Sequence, residues 1–96
     1  MFDKMKQLME MKKQADKIKK ELDAAEVESS VIKGIQIKIN GSQNFQTIEI
    51  DEELLKPENK KRFEGDLLRS LNAAIKASQN LAAQKMKGAL PGFPGI

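Results

Sequence analysis

Residues 35–51 read IQIKINGSQNFQTIEID. Ile35, Ile37 and Ile39 alternate with Gln36, Lys38 and Asn40, and Ile48 and Ile50 resume the alternation after a break. A period of two built from β-branched residues is the pattern of a half-buried strand, because successive side chains leave opposite faces. The Asn40-Gly41 pair carries turn chemistry, since both residues tolerate positive φ. Folding back there sets Ile39 opposite Gln46, Ile37 opposite Ile48 and Ile35 opposite Ile50, and gathers isoleucines on one face. A lone hairpin is marginal in water, so this face requires a cover.

The flanking segments supply one. Met1, Leu8, Ala15 and Leu22 share one heptad position, and Met11, Ile18 and Ala25 follow three residues later. This predicts a first helix with an apolar seam over roughly 24 residues, or about 36 Å. Residues 26–33, EVESSVIK, suit a strand better than a helix, and Gly34 marks the turn that follows. Three antiparallel strands are expected over 26–32, 35–40 and 45–50. Asp51–Leu55 reads as a short helical turn, and Pro57 fits the first turn of a second helix, where its missing N–H is not needed. Phe63, Leu67, Leu71, Ala74, Ser78 and Leu81 then recur at three- and four-residue spacing, giving an amphipathic helix to about Lys87. Gly65 inside it costs roughly 1 kcal/mol relative to Ala, and marks either a close packing contact or a local weakness. The expected architecture is one α+β domain over 1–87. Its order is α-β-β-β-α, with a three-stranded antiparallel sheet packed on two amphipathic helices. Residues 88–96, GALPGFPGI, read as a flexible Gly/Pro-rich tail.

Composition limits what such a domain does. The 96 residues include no Trp, Tyr, His or Cys and only four Phe, so the core is small and a second copy is expected to complete it. Without Cys there is no disulfide framework or thiolate metal site, which fits a reducing cytoplasm. No stretch forms a secretory h-region or a membrane span, so a soluble cytoplasmic protein with no membrane partner is expected. The absence of His and Cys removes the commonest catalytic bases, nucleophiles and soft metal ligands. Glu49, Asp51, Glu52 and Glu53 lack a partner histidine or a glycine-bracketed loop. They suit a strand end and a helix start better than a weak Mg²⁺ site. No Gly-rich phosphate loop is present. The expectation is no enzyme, no cofactor, no metal and no small-molecule substrate.

The net charge of +3 conceals a pattern. Residues 1–23 carry net +2, residues 24–55 carry −4, and residues 56–87 carry +5. Lys6, Lys13 and Lys20 repeat every seven residues opposite the first seam, and Arg62, Arg69 and Lys76 do the same on the second helix. Such rows are commonly just solvated faces. With no aromatics interleaved, stacking on single strands is poorly supported, whereas spaced cations suit the phosphates of a duplex. These six residues are the candidate DNA contacts.

Several pieces together resemble one known family. Ile39-Asn40-Gly41, the strand end Ile48-Glu49-Ile50-Asp51 with Leu54-Leu55, and Asn72 followed by alanines are similar to the YbaB/EbfC family of bacterial nucleoid-associated proteins, over nearly the whole chain. The resemblance implies a tight, intertwined homodimer with protruding helical arms, binding of double-stranded DNA with limited sequence preference, and a place in the nucleoid with effects on gene expression. Two features depart from the family pattern: a first hairpin turn with only Gly34, and Phe63-Glu64-Gly65-Asp66 where a Leu-Glu-Asp-Leu run is usual. The alternative from another class is a helical protein–protein interaction module such as a prefoldin-like chaperone subunit, whose arms need far longer heptad runs.

Overall fold

A computed structural model describes residues 2–89. Helix α1 spans Phe2–Ala24, strand β1 Glu26–Ile32, β2 Ile35–Asn40, β3 Phe45–Ile50 and helix α2 Lys60–Ala89. Two 3-10 turns, Glu52–Leu54 and Pro57–Asn59, lead into α2. Met1 of the heptad seam, and the expected tail from residue 90 onward, lie outside the described residues.

The sheet is antiparallel in the order β1-β2-β3, and the expected pairs Ile35–Ile50 and Ile37–Ile48 are present. The third pair is corrected. Ile39 faces Phe45 rather than Gln46, because the register shifts between Lys38 and Ile39 and leaves Gln46 as the extra residue of a bulge. A second shift lies in β1 between Ser29 and Ile32, and pairs Ile32 with Ile35 while Val31 turns to solvent. Each bulge keeps an apolar side chain on the isoleucine face where strict alternation would have lost it or replaced it.

Helix α2 lies over that face. Ile35, Ile37, Ile39 and Ala74 are fully buried, with Val27, Ile32, Leu54, Phe63, Leu71 and Ile75 packed around them. The cover is unequal. Strand β3 stays uncovered, with Phe45 and Ile48 at 41% and 47% exposure. Helix α1 meets the sheet only through its C-terminal end and then runs beside the last third of α2, so the molecule measures 67 × 22 × 17 Å. Along the α1 seam Ile18 is buried, whereas Leu8 and Met11 remain exposed.

The β2–β3 turn explains how α1 is attached. Positive φ falls at Gln43, at 65°, and not at the Asn40-Gly41 pair where the sequence suggested it. Gly41 is required for a different reason. Its N–H donates to the carbonyls of Leu22 at 2.9 Å and Ala25 at 3.0 Å, taking up carbonyls that the end of α1 would leave unpaired. A Cβ on Gly41 would stand 2.9 Å from Leu22 Cδ2 and 3.0 Å from the Leu22 carbonyl oxygen. Gly65 is the opposite case, since nothing lies within 4 Å of a Cβ built there. It marks no close contact.

The two glycines therefore respond oppositely to alanine. Gly65→Ala removes a helix-interior glycine at no steric cost, and should stabilise by about 1 kcal/mol, raising the melting temperature by roughly 4–8 °C. Gly41→Ala forces the α1 anchor apart and should destabilise by about 1–3 kcal/mol. Thermal melts followed by circular dichroism decide both, and shifts of the same sign would contradict the assignment.

Candidate nucleic-acid interface

The six candidate cations are all exposed and fall into two unlike rows. Lys6, Lys13 and Lys20 lie along α1, about 10.5 Å apart at 1.5 Å per residue. Among the described residues, none of the three forms an ion pair. Their ammonium groups are available to an outside anion along the whole helix.

The α2 row differs. Arg69 Nη2 bonds to Asp66 Oδ1, and Arg62 Nε stands 4.0 Å from Asp66 Oδ2. Asp66 is three residues before Arg69 and four after Arg62, so the helix sets all three side chains on one face. The arginine side chains are 85% and 70% exposed at positions 62 and 69, but both lean on one carboxylate that is only 12% exposed. Lys76 alone in this row has no ion-pair partner among the described residues. Asp66 was not singled out by the charge reading, although its spacing from the two arginines is the signal that identifies it.

Between the helices runs an open groove that also escaped that reading. Gln14, Lys17, Ile18 and Glu21 of α1 line one side, and Leu81, Gln84 and Lys85 of α2 the other. Lys17 and Lys85 thereby bring a cation from each helix to one place. The outer face of the sheet has the opposite character. Glu28, Gln36, Lys38, Thr47 and Glu49 share a shallow depression there, and Lys38 is engaged with Glu26 at 3.8 Å. That face repels polyanions, and the helices attract them. Among the described residues no group of His, Cys, Asp or Glu side chains is placed to hold a metal ion, and no helix is long and apolar enough to cross a membrane.

A family model described as the YbaB/EbfC DNA-binding family matches residues 1–93. The chain is 31% identical over 93 residues to a nucleoid-associated protein of Chloroflexus aurantiacus, covering 96% of this chain and 93% of the relative. It is 32% identical over 96 residues to a nucleoid-associated protein of Pelotomaculum thermopropionicum, covering 96% and 90%. In fold it is similar to the crystal structure of an uncharacterized protein from Helicobacter pylori. The TM-score is 0.78 at 22% identity, over 94% of this chain and 97% of that one.

Proposed function

The chain belongs to the YbaB/EbfC DNA-binding family, and from that membership we propose that it binds double-stranded DNA as a homodimer, with little sequence preference, in the bacterial nucleoid. The observation that carries this reading is the row Lys6, Lys13 and Lys20, exposed and unpaired among the described residues, on a helix that touches the sheet only at its end. Point charges on flexible stems contact phosphates without reading base edges, so affinity is expected with little sequence discrimination. Protein of this kind binds and organises DNA; it has no need of a cofactor or a small-molecule substrate. Effects on gene expression follow from occupancy of the duplex and not from recognition of a particular operator.

A second copy answers a separate need. Leu8 and Met11 of the α1 seam, with Phe45 and Ile48 of β3, leave large apolar side chains in water. Isolated exposed apolar residues are ordinary, but β3 is also a sheet edge with unpaired backbone groups, and such edges are commonly covered. Pairing through β3 buries the rest of the isoleucine face and doubles both rows of cations. A prefoldin-like role suits the chain less well, since α1 extends for only 23 residues.

Two measurements test this reading. Light scattering at micromolar concentration should return twice 10.7 kDa, and a folded monomer at every concentration would remove the dimer. Titration of two unrelated duplexes at several salt concentrations should give similar affinities. The slope of log K against log salt should be about −0.9 for each phosphate contact, or about −5 if three lysines of each of two copies engage. Replacing Lys6, Lys13 and Lys20 by Glu should abolish binding, while replacing Arg62, Arg69 and Lys76 by Glu should weaken it less, because Asp66 already engages two of those cations. An α1 variant that binds as tightly as the parent would contradict the proposal.

A further inference from the structure

We infer that Asp66 is an internal competitor for phosphate, holding Arg62 and Arg69 away from the duplex and thereby setting how tightly the α2 row binds; this rests on the DNA-binding reading above. The carboxylate accepts from the Arg69 guanidinium through Oδ1 and faces Arg62 Nε through Oδ2, so each oxygen serves one arginine. Together the three side chains carry +1 where the arginines alone would carry +2. The competitor is unusually placed for a surface ion pair, since Asp66 is only 8% exposed while both its partners extend into solvent. Leu54, Asn59 and Phe63 line the same pocket as Arg62 and Asp66.

That burial decides the competition. A phosphate that draws off an arginine does not simply exchange one anion for another in water. It leaves behind a poorly hydrated carboxylate that has lost a compensating charge, a cost that an exposed aspartate would not impose. Neutral phosphate-free surroundings favour the internal pair, so the arginines contribute fewer counterion-releasing contacts than their number suggests. Asp66 also has a plain structural use, because pairs at three- and four-residue spacing support a helix. The structural use changes melting temperature. Only competition changes the salt dependence of DNA binding.

The test is a salt series of binding isotherms on one random duplex for the parent, for Asp66→Asn, and for the variant in which Asp66→Asn is combined with Arg62→Gln and Arg69→Gln. The single variant keeps the shape of the side chain and removes its charge. It should bind more tightly than the parent at every salt concentration, with a slope steeper by about 0.9 for each arginine released to a phosphate. The triple variant should return to the parent slope, which assigns the gain to those two arginines. An Asp66→Asn protein that keeps the parent's slope and affinity overturns the inference and leaves the DNA reading intact. A parent with no salt-dependent binding overturns the DNA reading, and the role of Asp66 with it. If Asp66→Asn does not fold, Arg62→Gln with Arg69→Gln in the parent decides instead. An unchanged slope supports sequestration, and a shallower one shows that the arginines already contact phosphate.

Discussion

Both helices and the β2–β3 turn are tied to one buried residue, Asn40, at 4% exposure. Its main-chain N–H donates to the Asn44 carbonyl at 3.0 Å and closes the β2–β3 turn. Its side-chain Oδ1 accepts from the N–H groups of Ser42 at 3.0 Å and Asn44 at 2.9 Å, which shapes the turn from inside. Its Nδ2 donates to the Asp23 carbonyl at 3.3 Å, and its own carbonyl accepts from Ser78 Oγ of α2 at 2.6 Å. One amide side chain and one peptide unit thus join both helices to the central strand. A buried polar group left unpaired costs about 1–3 kcal/mol, so this node resists any shift of one element against the others.

The node also determines where charge is carried. Because α1 is held at its last turn by Asn40 and Gly41, the helix that carries the lysine row leaves the sheet, and its Gln14–Glu21 stretch runs beside the end of α2. Ser42 Oγ bonds to Asp23 Oδ1 and reinforces the same junction. The carboxylates of the outer sheet face, Glu28 and Glu49, stay on the body of the domain. A polyanion therefore meets positive helices and a negative sheet on one small molecule. A net charge of +3 alone would not predict that separation.

Much of this was legible in the sequence, and the misses have physical causes. The period of two located β2, β3 and the pairs Ile35–Ile50 and Ile37–Ile48, since a register slip of one residue would have exposed the isoleucines, whereas β1 was legible from its β-branched residue types. The α-β-β-β-α order followed from the change between periods of two and 3.6. The bulges at Gln46 and in β1 were not legible, because each depends on how a neighbouring turn resolves and not on a residue type. Gly41 looked like a turn glycine and proved to be a contact glycine, which only the approach of Leu22 reveals. The six cations were found by spacing alone, but their inequality was not. Summing charge by segment hid Asp66 among its neighbours, although its place between Arg62 and Arg69 was readable at helical spacing.

The division of labour between a binding arm and a structural body is tested most directly by nuclear magnetic resonance. Amide-labelled protein would be titrated with a short random duplex at low salt. The predicted result is shift changes concentrated along α1 around Lys6, Lys13 and Lys20, with smaller changes near Lys76 and almost none at residues 35–40. Changes centred on Glu28, Gln36 and Glu49, or no change at any residue of α1, would contradict it.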